Sequence, residues 1–236
     1  MTPHTIDTLR THHREAVMAT IDIVQKVSTS DLERPTPCSD WNLLELLAHM
    51  TAQHRGFTAA AHGAGADPAV WETSAVIDAV AADPAGSYAA AACELLTAIA
   101  ADETLGVPFE LPDFGKGAVF PFEQAIGFHF VDYVVHGWDV ARAVRVPLNL
   151  PDNVIDTALA LGLQVPGGNY RTGASAPFGP ALDQVPDGTG FDRLLRHLGR
   201  SPAWSSADNN RRRPPAANVV RPQVQRLGAS HTLPGQ

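Results

Sequence analysis

Apolar residues recur every three to four positions along most of this chain, the period of helices with one face turned inward. Ile6, Leu9, Val17, Ile21, Val24 and Val27 mark a first helix over residues 5–27. The stretch D31-L-E-R-P-T-P-C-S-D carries two prolines and reads as a connector, with Ser39 or Asp40 the expected N-cap of a second helix. That helix is predicted from near Trp41 to Ala61, on Leu43, Leu44, Leu46, Leu47, Met50 and Phe57, ending at Gly63 and Gly65. A shorter helix is expected over 69–82, broken at Asp83-Pro84, and another over 86–103. Residues 106–117 read as loop from their Gly and Pro density. Pro121 suits the first position of a long helix over 121–145, and Pro151 opens one ending near Gly162. The Gly- and Pro-rich piece 164–187 predicts an irregular excursion with a short strand, followed by a small helix over 189–199. The sum is an all-α chain: a helical bundle over 1–163, a C-terminal extension over 164–204, and a disordered tail over 205–236.

Composition narrows the setting. The 236 residues can bury one sizeable core. Only two cysteines occur, Cys38 and Cys93, which favours a reducing, cytoplasmic compartment over a disulfide framework. Cys38, ahead of a helix, and Cys93, among alanines, both read as small buried residues. The start of the chain lacks the pattern of a signal peptide, and no segment approaches the ~20 apolar residues of a membrane span. The net charge of −8 is uneven: five tail arginines against Asp208 give the tail +4, leaving −12 on the body. An acidic body argues against nucleic acid as a partner. A monomer or homodimer acting on a small molecule is expected.

Candidate chemistry lies on the long helix. His129, Asp132 and His136 fall within a sector of about 60° at 100° per residue, on a stripe with Phe122, Ala125, Tyr133, Val140 and Ala143. Ionisable groups on an apolar stripe are costly to bury without a partner. One answer is a divalent metal, for which imidazole and carboxylate suit zinc, nickel or iron. The other is a core hydrogen-bond network in which Asp132 pairs with a histidine. Residues four apart rise by about 6 Å and can converge on one ion, whereas His129 and His136 are separated by about 10 Å of rise. The helical pair is therefore Asp132 with His136, or His129 with Asp132. A further ligand must come from another helix. His49 is the candidate, sharing a face with Leu46, Gln53 and Phe57, whereas His54 is rotated away by about 140°. Three protein ligands leave a position open, the pattern of a catalytic site. Asp139 is expected to pair with Arg142, and Trp41 and Trp138 to pack.

Three phrases carry a resemblance. They are T36-P-C-S-D-W41 followed by L-L-A-H ending at His49; D132-Y-V-V-H-G-W-D-V-A-R142; and F-G-P from Phe178 followed by F-D-R-L-L-R-H-L-G-R-S-P over Phe191–Pro202. In order, they make residues 5–202 resemble the mycothiol-dependent maleylpyruvate isomerase-like proteins, within the DinB-like metal-binding bundles. The resemblance implies a DinB-like four-helix bundle with one divalent metal, usually zinc, held by His49, Asp132 and His136. Asp132 stands where such proteins often have Glu, and their larger C-terminal domain is abbreviated here. His129 matches no family ligand, leaving it beside the ligands or on the substrate side. The resemblance also implies an actinobacterial setting with mycothiol or a similar thiol as cosubstrate. The corresponding chemistry is sulfur transfer to, or isomerisation of, a small electrophile. A non-catalytic metal- or ligand-binding bundle and a metal-dependent hydrolase stay open beside it.

Overall fold

A computed structural model describes residues 3–38, 41–172 and 178–207. Four long helices form the bundle: α1 (Pro3–Val24), α2 (Leu43–Ala61), α4 (Pro84–Ala100) and α5 (Phe122–Val144). The short α3 (Ile77–Ala82) precedes α4; α6 (Asp152–Gly162) and α7 (Gly190–His197) follow the bundle. Around the bundle α1 packs on α5, α5 on α2, α2 on α4 and α4 on α1, so each long helix has two neighbours. The core runs through Val17, Leu46, Leu47, Met50, Leu95, Ile126, Phe130 and Val134, all essentially inaccessible. Burying this apolar surface is the main stabilising term. Helix α7 packs on α6 and adds Leu194 and Leu195 to the same core cluster, joined by Leu198 just past its end.

Local chemistry sets the boundaries. Helix α2 begins after Asn42, whose side chain accepts from the Glu45 backbone N–H at 2.9 Å while Glu45 accepts from the Asn42 N–H at 2.8 Å. This reciprocal box satisfies two otherwise orphaned donors. The expected caps Ser39 and Asp40 lie outside the described residues, and the cap observed is Asn42. Asp83 caps α4 through the Gly86 N–H, with Pro84 in the first turn, so this helix starts two residues earlier than its periodicity suggested. Thr189 and Asp192 form the same kind of box at α7. The helix expected over 69–82 is corrected: Pro68–Trp71 and Thr73–Ala75 are 3₁₀ turns and only Ile77–Ala82 is α-helical. Asp67 caps the first turn through Ala69 N–H, and extended Glu72 interrupts the path. The strand position is also corrected. A two-residue antiparallel ladder precedes α5, β1 (Phe109–Glu110) within the expected loop and β2 (Val119–Phe120) just past it, pairing Phe109 with Phe120. The described part of 164–187 contains no strand. The tail assigned to disorder lies outside the described residues from residue 208 onward.

Gly137 permits the close crossing of α1 and α5. A Cβ there would lie 2.6 Å from the Thr20 methyl. Thr20 cannot yield easily, because its hydroxyl bonds to Tyr88 Oη at 2.6 Å and to the Val17 carbonyl at 2.7 Å. Gly137→Ala gains about 1 kcal/mol of helix propensity, while overpacking costs about 1–3 kcal/mol. Urea unfolding is therefore expected to show a net loss of up to about 2 kcal/mol. A stabilised variant would show that α1 moves aside freely.

Candidate metal centre

Helices α2 and α5 bring His49, Asp132 and His136 together. One ligand-type atom from each lies within 4.8 Å of the others. The shortest separation measured among them is 3.4 Å, between His136 Nε2 and Asp132 Oδ1. Two ligands bound at about 2.0–2.1 Å to a tetrahedral ion sit about 3.3 Å apart, so this spacing already suits a shared cation. The i,i+4 register on α5 places both groups on one face, and α2 supplies the imidazole from the facing helix. His136 is buried, His49 is partly buried, and the Asp132 side chain is 24% exposed, so the cluster opens to solvent on the Asp132 side.

Each imidazole has a distinct environment. His136 Nδ1 lies 2.9 Å from Asp139 Oδ2. An ionised carboxylate only accepts, so Nδ1 carries a proton and Nε2, 3.4 Å from Asp132 Oδ1, is the nitrogen placed to meet a cation. The pKa of His49 is lowered to about 4, first by burial and then by His136, with Asp132 and Asp113 opposing. It is therefore neutral at pH 7, the form a metal requires. The Trp41 ring lies 4.5 Å from that of His49 and 6.1 Å from that of His136, packing against the site as expected. Trp138 is also buried.

Asp139 departs from expectation. It does not pair with Arg142. Its Oδ2 accepts from His136 and from Arg200 Nη2, the latter at 3.2 Å. Asp139 is fully buried and Arg200 is 6% exposed. Burial alone would raise the Asp139 pKa, but the guanidinium and the His136 hydrogen bond together outweigh it and hold it low. Arg142 donates instead to the Trp204 carbonyl.

His129 belongs to neither the cluster nor its open side. Its Nδ1 lies 2.9 Å from His13 Nε2, and its ring stacks on Tyr133 at 3.9 Å. His54 completes this second group, 5.2 Å from His129 and 4.2 Å from Tyr133 between ring centres. All three histidines are buried. Burial lowers the pKa of His13 to about 3. It also pushes His54 and His129 well below the ordinary value, with neighbouring histidines adding to the effect. Both nitrogens of His54 are without hydrogen-bond partners among the described residues. Sequence reasoning missed His13 and the depth of His54. The signal for His13 was its place on the face of Leu9, Ala16 and Val17. Cys93 is also corrected: it is exposed and lines a groove of about 970 Å³ with Thr58, His62, Glu94 and Thr97, sharing no residue with the His/Asp cluster. Cys38 is partly buried.

The loop holding β1 and β2 approaches the cluster. Asp113 accepts from Gln53, one turn beyond His49, at 3.1 Å. Phe114 stacks on Phe128, one turn before Asp132, at 4.6 Å, and remains 52% exposed. No helix among the described residues is long and apolar enough to cross a membrane.

Comparison with known proteins agrees with this architecture. Two uncharacterized proteins, from the CDC 1551 / Oshkosh and ATCC 25618 / H37Rv strains of Mycobacterium tuberculosis, are each 26% identical over 190 residues, covering 80% of this chain and 96% of their own length. No solved structure matches. The family model for the mycothiol maleylpyruvate isomerase N-terminal domain matches residues 13–141, which span α2, α4 and most of α1 and α5. With more than half of its length covered by that model, the helical bundle described above belongs to the mycothiol maleylpyruvate isomerase N-terminal domain family.

Proposed function

We propose that the chain binds one divalent cation, best matched by zinc with nickel or iron as alternatives, through His49, Asp132 and His136. We further propose that it uses this centre for thiol-dependent transfer to, or isomerisation of, a small electrophile, with mycothiol the family example of the thiol. The observation that carries the reading is the convergence of three donors from two facing helices with a 3.4 Å separation across the α5 pair. The donor chemistry fits: two imidazoles and a carboxylate match zinc, and three protein ligands leave a coordination position free. A bound cation would supply positive charge that favours thiolate over thiol.

The chain's own residues do the rest. Asp139 holds the His136 proton on Nδ1 and so aims Nε2 at the site. Trp41 closes the side of His49 and His136 against solvent. Phe114 and Phe128 form an apolar wall one turn from Asp132, where the carbon skeleton of an electrophile can lie while its reactive carbon meets the sulfur.

Elemental analysis of protein purified without a histidine tag is the test, together with turnover assays with and without thiol. Structural zinc binding is worth about 10–16 kcal/mol, so one of four ligands supplies roughly 3–4 kcal/mol. His49→Ala, Asp132→Ala and His136→Ala are each expected to weaken binding by a few hundredfold. Full metal content in all three variants would overturn the site. Turnover of an ester or amide without thiol would point instead to hydrolysis.

A further inference from the structure

We propose that Arg200, from the C-terminal extension, is a positioning residue for His136, so that seating of its guanidinium on Asp139 and occupancy of the metal centre strengthen each other. The inference rests on the metal reading above. Its basis is a contact chain running from the extension to the proposed ligand. Arg200 Nη2 donates to Asp139 Oδ2 at 3.2 Å, and the same oxygen accepts from His136 Nδ1 at 2.9 Å. Nε2 of that ring faces Asp132 Oδ1 at 3.4 Å.

Every link lies out of water. Asp139 is 0% exposed, His136 3% and Arg200 6%. A carboxylate so enclosed is costly to bury without a cation or several donors beside it. Arg200 supplies the cation, and the turn after α7 fixes Arg200. Its Nη1 donates to the Leu198 carbonyl at 3.1 Å, and its guanidinium lies 5.7 Å from the Phe178 ring centre. Leu195 and Leu198, which flank that turn, are sealed in the core. The extension thus sets the orientation of Asp139, and Asp139 sets the orientation and tautomer of His136. Coupling through such a chain is reciprocal: seating of Arg200 on Asp139 and binding of the metal favour each other by the same factor.

Cobalt(II) titration of the full chain, followed by its visible ligand-field spectrum, tests this. Loss of an outer partner to a ligating histidine typically costs 10–100-fold in metal affinity. Arg200→Met is expected to fall in that range with an altered spectrum, and Arg200→Lys, which keeps the charge, to recover much of the loss. Cobalt is expected to slow amide exchange across residues 190–200 in the wild type but not in Arg200→Met. Arg142→Met is the control. Arg142 ties the extension through the Trp204 carbonyl without touching Asp139, so its variant should bind cobalt normally. If Arg200→Met does not fold, Asp139→Asn with Arg200→Met removes the unpaired charge, and weakened binding is again expected.

Wild-type affinity and spectrum in Arg200→Met, or in the double variant, would overturn the inference. So would an equal loss in Arg142→Met, which would mark a general effect of loosening the extension. Absence of cobalt binding by the wild type would overturn the metal reading itself, and this inference with it.

Discussion

Lowering the pH from 7 to 5 is expected to destabilise the metal-free protein, by about 2 kcal/mol from His13 alone, before its carboxylates titrate. The cause is the buried group of His13, His54 and His129, each held neutral in the fold. An unfolded histidine titrates near 6.5. Below that value the unfolded chain binds protons that the folded chain refuses, so stability falls with falling pH. The loss begins near 6.5 and, for His13, continues to about 3. At pH 5 the gap of 1.5 units for His13 is worth about 2 kcal/mol. His54 and His129 add losses of the same sign. Even the His13 share is substantial against the roughly 5–15 kcal/mol that holds a domain together. Urea unfolding in a chelating buffer between pH 7 and pH 5 measures the slope. His54→Phe is expected to flatten it by about one proton and to raise stability at every pH, since a benzene ring leaves no nitrogen unpaired. A midpoint that does not move between pH 6.5 and pH 5 would mean these rings reach water or a counter-charge.

Removing the Asp139 carboxylate is the most damaging single substitution expected at the junction of bundle and extension. Asp139→Ala leaves Arg200 buried without its carboxylate and opens a small void beside His136. Breaking a buried pair from one side costs about 3–5 kcal/mol. The lower end applies here, because Arg200 keeps its bond to the Leu198 carbonyl. For a chain of this size that loss lowers the melting temperature by about 6–12 °C. Asp139→Leu combined with Arg200→Met should recover most of it, since replacing both charges by apolar groups is often near neutral. Thermal melts of metal-free protein decide the point. A change below 1 kcal/mol in Asp139→Ala would show that Arg200 escapes to solvent when its partner is gone.

The long helices were legible because their apolar period is sustained over many turns. Residues 68–75 were not: Pro68 and Ala-rich flanks look helical, but the Asp67 cap and extended Glu72 divide them into separate 3₁₀ turns. The ladder of Phe109 with Phe120 was hidden because two-residue strands carry no alternation to read. On the candidate site, His49, Asp132 and His136 could be brought together by counting angles along two helices. The surroundings could not. Asp139 has Arg142 as its near neighbour in sequence, and local spacing favours that pair. The actual cation arrives from a position 61 residues away. Likewise His129 finds His13, 116 residues distant, rather than the residues one turn along. Helical periodicity gives the direction of a side chain, while the identity of its partner depends on which helices pack together.

Order of synthesis gives the Arg200 contact one more meaning. Chains emerge from the ribosome N-terminus first, and structure builds in that order. The four bundle helices are complete by Val144, whereas Arg200 follows 56 residues later. A bundle that folded in that interval would hold Asp139 without the Arg200 guanidinium beside it. A chain cut short before Gly199 is therefore expected to keep every proposed ligand yet bind a cation less tightly than the full chain.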